Sequence, residues 1–241
     1  MGHKLIPFAN PAELAKGAAT SWLMELRKRN QPAARYNVAL SGGRITQTFF
    51  SEIVTLVGTA TEAASLFQNV HFYWADERCV PPTDAESNFG AAQRLLFGPL
   101  KIPEAQIHRL RGEGPEPQVL REAIIDICAG APSVKGQPVL DMIFLGMGED
   151  GHVASLFPGE TEDVINNGLV YRAVTAVKPP PRRITLGYAV LAAATEVWVV
   201  ASGAGKEGAL KESLSANGKT PLGRVLRSRE DTKILTDIPQ R

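Results

Sequence analysis

One short segment of the chain combines glycines, an acid and a histidine in a way that could support catalysis. The segment LGMGEDGHVASLFPG follows the strand-like run VLDMIFLG and places Asp150 and His152 two positions apart, across Gly151. Histidine titrates near neutral pH and is a natural general base, and a neighbouring carboxylate would fix its tautomer and raise its basicity. A histidine that only caps a turn is the structural alternative. The position at a strand end, between glycines, favours catalysis.

A second segment, SGGRIT, could bind an anion. Gly42 and Gly43 let the backbone approach a ligand closely, and the hydroxyl of Ser41 could donate a hydrogen bond. A helix-like run follows, so its free N–H groups would favour a phosphate or a carboxylate. A plain Gly-Gly turn between a strand and a helix is the alternative. The segment is neither a Walker loop nor a dinucleotide fingerprint.

Two further segments carry cations at strand ends. ADERCVP contains Asp76, Glu77 and Arg78, and an arginine there can bind a phosphate through two parallel hydrogen bonds. In ASGAGKEGAL, Lys206 stands at the start of a helix after a glycine-containing loop, which also suits an anion. A solvated charge run and an exposed helical lysine are the structural alternatives.

The apolar pattern predicts the elements that would bring these segments together. Apolar strands alternate with helix-period segments, which predicts an α/β fold with a largely parallel sheet covered on both faces. Asn10 is expected to cap a first helix that begins at Pro11. Ligands of open α/β sheets bind outside the carboxyl ends of the strands. Since each candidate segment follows a strand, we expect all four to share one edge of the sheet.

Composition limits the class of protein. With 241 residues, 44% hydrophobic and 21% charged, the chain is compatible with one large α/β domain or two small ones. Because no long low-complexity linker interrupts it, we expect a single domain over residues 1–241, as a monomer or small homo-oligomer. The net charge of +1 predicts no nucleic-acid or membrane partner, and we expect a cytoplasmic protein. Cys79 and Cys128 are expected to be reduced thiols, with Cys128 on an apolar helix face.

Several kinds of site lack their signatures. The sequence has no H-x-x-x-H, no H-E-x-x-H and no cysteine cluster, so we expect no metal, and the absence of G-x-S-x-G disfavours a serine hydrolase. A histidine base among anion-binding loops suits water attack on an activated ester, or proton abstraction, in a phosphorylated substrate. His71, within a strand, is expected to be packed, and neither His71 nor His108 shows a comparable motif.

Taken together, these motifs resemble those of a known family. SGG after a strand, DERCVPPTDAESNFG, LGMGEDGHVASLFPG and KPPPRRITL occur in the order and spacing of the 6-phosphogluconolactonases, relatives of glucosamine-6-phosphate deaminase/isomerase. The resemblance spans nearly the whole chain. It implies a three-layer αβα fold with a Rossmann-like, mainly parallel sheet and no metal or redox cofactor. The implied activity is hydrolysis of 6-phospho-D-glucono-1,5-lactone to 6-phosphogluconate in the oxidative pentose phosphate pathway, so the expected partner is a phosphorylated sugar lactone.

The resemblance also implies roles for individual residues. His152 resembles the base that activates water for attack on the lactone carbonyl, and Asp150 resembles the acid that orders the loop beside it. Arg78 and Lys206 are similar to phosphate ligands. The full set expected to bind the substrate and its phosphate is Ser41, Gly42, Gly43, Arg44, Asp76, Arg78, Arg183 and Lys206.

One departure and two alternatives stay open. The family usually reads S-G-G-S-T-P, whereas this chain has Arg44, Ile45 and Thr46 after the glycines, and Arg44 could contact the phosphate or point to solvent. An aminosugar-phosphate deaminase/isomerase is the nearer alternative. In the same loop, proteins of that branch read like D-G-H-I-A-F-N-E-P, which has a glutamate at the position of Phe157 in this chain. A non-catalytic sugar-phosphate-binding module is the other alternative.

Overall fold

The computed structural model describes residues 2–29 and 34–239. The strands are β1 (His3–Pro7), β2 (Tyr36–Leu40), β3 (Val70–Trp74), β4 (Asp76–Arg78), β5 (Ser133–Val134), β6 (Gln137–Pro138), β7 (Met142–Gly146), β8 (Tyr171–Thr175), β9 (Arg182–Leu186), β10 (Glu196–Ala201) and β11 (Thr232–Thr236). The helices are α1 (Pro11–Arg29), α2 (Arg44–Val57), α3 (Ala60–Phe67), α4 (Asn88–Ala92), α5 (Gly98–Leu100), α6 (Glu116–Gly130), α7 (Glu162–Ile165), α8 (Tyr188–Ala193), α9 (Glu207–Leu214) and α10 (Pro221–Ser228). A π-helical turn (Gln93–Phe97) and a 3₁₀ turn (Glu104–Gln106) complete them.

Six parallel strands form the main sheet, in the order β1-β11-β10-β7-β2-β3. Every residue of β2 is buried, as expected for a central strand covered on both faces. The chain runs outward from β2 to β3 and later returns to β7 on the other side of β2. Strand order therefore reverses between β2 and β7, and their carboxyl ends frame the crevice where such folds bind ligands. The predicted α/β class and mainly parallel sheet are confirmed.

Aromatic side chains join the first helices to this sheet. The Trp22 ring of α1 lies 6.0 Å from Phe49 of α2 and 5.8 Å from Phe67 of α3, between ring centroids. On its sheet side it lies 5.1 Å from Phe144 of β7. The helix start also follows prediction, since the Glu13 N–H donates to Asn10 Oδ1 at 2.9 Å.

A second, antiparallel sheet has the order β4-β9-β8. The segment expected to lie beyond a strand end as a charge-bearing loop, Asp76–Arg78, is instead a strand, because it forms β4 and pairs with β9. The chain leaves the main sheet at Ala75, whose N–H still donates to Leu40 and whose carbonyl already accepts from Leu186. A three-residue strand of charged residues carries no apolar alternation, so its pattern resembles a loop.

The predictions for the cysteines and the other histidines need correction. Cys128 is exposed rather than on an apolar face, because the buried position of this helical turn is Ile127. His71 is only half-buried, and both His71 and His108 have titratable neighbours. His71 Nδ1 lies 3.0 Å from His108 Nε2, and His108 Nδ1 lies 2.8 Å from Asp126 Oδ2. These partners are far apart in sequence, which hides the cluster from motif analysis.

Within the described ranges, no helix is both long and apolar enough to span a bilayer.

Candidate active site

A cavity of about 560 Å³ opens at the carboxyl edge of the main sheet. The loops after β2, β7 and β10 contribute to its wall, together with β4 and β9. The structure thus brings the four candidate segments together, as parallel strands require. The expected site residues that line it are Ser41, Gly42, Gly43, Arg44, Asp76, Arg78, His152, Arg183 and Lys206. Asp150 does not line the cavity but contacts His152, which does. The roles of all these residues stay predictions.

The histidine of the loop after β7 is paired with its carboxylate. His152 Nδ1 lies 2.5 Å from Asp150 Oδ1, and the same oxygen accepts the His152 backbone N–H at 3.1 Å. Burial raises the pKa of Asp150, but the hydrogen bonds and charge of His152 outweigh it and leave that pKa below its ordinary value. A carboxylate at Nδ1 favours the tautomer protonated there, which leaves the Nε2 lone pair for a proton.

Glycines give this loop its shape. A Cβ at Gly148 would lie 2.1 Å from His152 Nδ1 and 2.8 Å from Asp150 Oδ1, so a side chain there would push the pair out of place. Gly151 has φ +77°, which favours glycine, and a Cβ there would lie 2.7 Å from Thr220. The glycines of the motif are therefore needed for the histidine's position.

Phe157 lies beside both the histidine and a buried arginine. Its ring centroid is 5.0 Å from that of His152, and the Arg183 guanidinium lies 5.7 Å from the Phe157 ring. Arg183 is 7% exposed and donates to the carbonyls of Pro180 at 3.1 Å and Lys178 at 3.3 Å. Burial lowers the pKa of Arg183 from its ordinary value.

The second arginine lies directly across the small sheet. Arg78 pairs with Arg183 in the β4–β9 register, and the charge of Arg78 further lowers the pKa of Arg183. The Arg78 Nη1 donates to the Glu86 carbonyl at 2.7 Å and to the Glu86 carboxylate at 3.0 Å. The carboxylates of Glu86 and of buried Asp76 partly offset the charges of these two guanidinium groups. Two cations side by side in the wall of the cavity are suited to binding an anion.

Lys206 and Arg44 form another cationic wall. Lys206 Nζ donates to the Met147 carbonyl at 2.6 Å, which ties it to the start of the histidine loop. Burial lowers the pKa of Lys206, opposed by the charge of Glu149 and reinforced by that of Arg44. Arg44, at the first position of α2, is exposed and makes no ion pair with the residues that the structure describes.

Uncharged groups complete the lining at the start of α2. Ser41 is buried, and its Oγ finds no hydrogen-bond partner within residues 2–29 and 34–239, although it belongs to the cavity wall. Gly43 caps α2 with φ +116°, and the first N–H groups of that helix have no partner within the helix. This end of α2 therefore offers hydrogen-bond donors to an anion.

The carboxylates of β4 are occupied within the protein. Asp76 is buried and accepts from Ser155 Oγ at 2.7 Å, while Glu77 accepts the N–H groups of Asn88 and Phe89 at 2.8 and 2.7 Å. Burial raises the pKa of Glu77 to about 7. Asn88 and Ser155 lie within the motif segments but are not among the expected site residues, since no spacing rule links their side chains to the histidine. The described part of the chain holds no group of three or more histidine, cysteine or acidic side chains that could bind a metal.

Comparison with known proteins identifies the family. The family model for glucosamine-6-phosphate isomerases/6-phosphogluconolactonase matches residues 9–234, and the chain belongs to this family. The chloroplastic probable 6-phosphogluconolactonase 3 of Oryza sativa subsp. indica is 35% identical over 189 residues, covering 75% of this chain and 56% of the rice protein. This chain therefore matches just over half the length of that relative.

Two further matches cover a larger share of the matched protein's own length. Human 6-phosphogluconolactonase is 35% identical over 196 residues, which cover 80% of this chain and 74% of the human protein. The crystal structure of the devB protein superposes with a TM-score of 0.83 at 29% identity, covering 98% of this chain and 95% of that one. The superposition supports the same fold over almost the entire chain.

Proposed function

We propose that the chain is a 6-phosphogluconolactonase, which hydrolyses 6-phospho-D-glucono-1,5-lactone to 6-phosphogluconate in the oxidative pentose phosphate pathway. The observation that carries the proposal is that His152, paired with Asp150, lines the same cavity as four cationic side chains. A base and an anion-binding wall in one cavity suit an ester bond within a phosphorylated substrate. The relatives named 6-phosphogluconolactonase support this choice of substrate.

The chemistry follows from the histidine pair. His152 Nε2 removes a proton from water as the water oxygen attacks the lactone carbonyl carbon, and the carbonyl oxygen becomes a tetrahedral oxyanion. The oxyanion then collapses, the bond from this carbon to the ring oxygen breaks, and the imidazolium returns its proton to the leaving oxygen. Asp150 stabilises the imidazolium between these steps. Backbone N–H groups of the glycine loops are the proposed donors to the oxyanion.

The cations and the α2 end hold the phosphate in this proposal. Arg78 and Lys206 are the main ligands, with Arg44 and Arg183 as further cations around the same cavity. The unpartnered Ser41 Oγ supplies a neutral donor. A dianionic phosphate placed there keeps the sugar ring within the cavity and the lactone carbonyl near His152.

Phe157 argues against the aminosugar-phosphate deaminase. The family includes both activities, so membership alone does not separate them. In this chain the apolar ring of Phe157 lies 5.0 Å from the His152 ring, at the position where the deaminase motif has a glutamate. A phenyl ring cannot carry a proton, so ring opening of an aminosugar lacks a proton carrier there.

The proposal is tested by measuring the hydrolysis of freshly generated 6-phosphogluconolactone in the presence of EDTA. The released protons are the readout. We expect the rate to exceed spontaneous hydrolysis by orders of magnitude and to resist EDTA. Failure to exceed the spontaneous rate contradicts it. Ammonia release from glucosamine 6-phosphate at a comparable rate would indicate the deaminase. Tight binding of 6-phosphogluconate without turnover would indicate a non-catalytic binding module.

The setting of the protein belongs to the same proposal. We place it in the cytoplasm as a single domain over residues 1–241, as a monomer or small homo-oligomer, without a nucleic-acid or membrane partner. The net charge of +1 and the two free cysteines support this setting. The rice relative is named chloroplastic, so a fractionation experiment on the source cell is the direct test.

A further inference from the structure

Asn88 lies between two of the segments that carry the site. It is the first residue of α4 and is 5% exposed. Its Nδ2 donates to the Asp76 carbonyl at 2.9 Å and lies 3.4 Å from Asp76 Oδ1. Its Oδ1 packs against the loop after β2, since a Cβ at Gly42 would lie only 1.8 Å from that oxygen. The Asn88 side chain therefore contacts both β4 and the anion-binding loop.

The other oxygen of Asp76 connects to the histidine loop. Ser155, three residues after His152, is fully buried and donates from Oγ to Asp76 Oδ2 at 2.7 Å. The backbone N–H of Ser155 donates to Thr185 Oγ1 of β9 at 3.2 Å, which fixes the residue against the small sheet. A continuous set of contacts thus runs from Gly42 through Asn88, Asp76 and Ser155 towards His152.

Glu77 holds Asn88 in place within this set. Its buried carboxylate accepts the backbone N–H groups of Asn88 at 2.8 Å, Phe89 at 2.7 Å and Arg78 at 2.7 Å. The start of α4 is therefore bound to the strand that carries Arg78. The Asn88 side chain has little freedom to turn away from Asp76.

We propose that Asn88, Asp76 and Ser155 are positioning residues that set the distance between the anion-binding loop and the histidine loop. The inference rests on the proposed lactonase function. A misplacement of about 1 Å between a bound substrate and a catalytic group can lower turnover about 100-fold. Buried polar networks whose members are satisfied hold a single arrangement. Asp76, although it lines the cavity, acts in this view through its two neighbours rather than as a phosphate ligand.

Alanine substitutions of the two ends test this role. In Asn88→Ala and Ser155→Ala we expect kcat for lactone hydrolysis to fall about 10- to 100-fold with KM within about 3-fold, since neither residue is a cation of the cavity. Because both act through Asp76, the double variant should lose no more than about 3-fold beyond the worse single variant. If one variant does not fold, the other carries the same expectation for kcat.

Asn37→Ala is the matched control. Asn37 is also a buried asparagine, 1% exposed, but it lies in β2 and donates to the Gly130 carbonyl at 3.2 Å. We expect this variant to lower the free energy of unfolding without lowering kcat. A loss of stability in Asn88→Ala and Ser155→Ala with unchanged kcat, or fully additive losses in kcat, would overturn the positioning role.

A second measurement does not depend on the reaction. We expect Asn88→Ala and Ser155→Ala, but not Asn37→Ala, to shift the NMR signal of the His152 ring, which is assigned by its loss in His152→Ala. If the wild type hydrolyses the lactone and the variants lose neither kcat nor this signal position, only the positioning inference fails. If the wild type does not hydrolyse the lactone, the proposed function fails, and an unshifted signal then overturns the positioning inference separately.

Discussion

At the scale of single residues, the His152 ring has its place because Gly148 has no side chain. Since a Cβ at Gly148 would lie 2.1 Å from His152 Nδ1, Gly148→Ala should displace the ring from Asp150 while leaving the strands intact. We expect kcat for lactone hydrolysis to fall by about 100-fold, the typical effect of misplacing a general base. Steady-state kinetics on the lactone measures this loss.

Gly208→Ala provides the control for that substitution. Gly208 lies in α9, and a Cβ built there meets nothing within 4 Å. Alanine is the better helix former by about 1 kcal/mol, so this variant should be slightly more stable and fully active. Normal kcat in Gly148→Ala would show that the position of the histidine ring is not limiting.

The proposed phosphate role of Lys206 can be tested against an exposed lysine of α9. In Lys206→Met we expect KM for the lactone to rise about 10- to 100-fold, since a hydrogen bond to a charged group contributes about 1.5–3 kcal/mol. Lys211→Met, on the exposed side of the same helix, should leave KM unchanged. Equal KM values in the two variants would remove Lys206 from phosphate binding.

At the scale of elements, helix caps were readable from the sequence where a polar residue directly precedes an amphipathic run. Asn10 before α1 is the clearest case. The cap of α3 was not anticipated, although Thr59 Oγ1 accepts the Glu62 N–H at 3.2 Å. Short helices carry too few apolar positions for periodicity to reveal them.

Thr59→Ala tests the contribution of that cap. We expect the free energy of unfolding to fall by about 1 kcal/mol, the usual effect of removing a threonine cap. Thr61→Ala, at an exposed position inside α3, should be neutral or slightly stabilising because alanine favours helices. Urea denaturation of both variants measures the difference, and equal stabilities would show that α3 does not depend on its cap.

The strands show where sequence patterns end. The four strands of the main sheet that precede the site loops are apolar and buried, and their pattern predicted them. The edge strand β1 and the small-sheet strand β8 mix polar and apolar residues, the small-sheet strand β4 consists of charged residues alone, and none of the three was predicted. Their pairing is decided by partners distant in sequence, which a local pattern does not contain.

At the scale of the whole molecule, long-range contacts also determine how stability depends on pH. His71 lies near Arg35, His108 and Asp126, and burial, followed by the charge of Arg35, lowers the pKa of His71 from 6.5 to about 4. The unfolded chain therefore binds an extra proton between these values. Stability should be lost as the pH falls from about 6.5 towards 4.

His71→Gln isolates this contribution because glutamine does not titrate. We expect the variant to lose less of its unfolding free energy than the wild type between pH 7 and pH 4, with other groups contributing equally to both. Thermal or urea unfolding at a series of pH values provides the comparison. Parallel curves for the two proteins would rule out His71 as a source of the pH dependence.

The location of the site could be predicted from the sequence more easily than the residues that position its loops. Parallel strands place their carboxyl ends at one edge, so motifs separated by up to 165 positions, from Ser41 to Lys206, could be expected to meet there. Asn88 and Ser155 lie within the motif segments themselves, but neither their residue type nor their spacing shows that both contact Asp76. Their importance depends on burial and on partners across the fold.

The most direct test of the central claim is to compare wild type and His152→Ala in the hydrolysis of freshly generated 6-phosphogluconolactone, with EDTA present. We expect rapid, EDTA-resistant hydrolysis by the wild type and a turnover lower by about two to four orders of magnitude in the variant. Binding of 6-phosphogluconate should be largely retained in the variant. Near-normal turnover in His152→Ala would contradict the assignment of His152 as the general base.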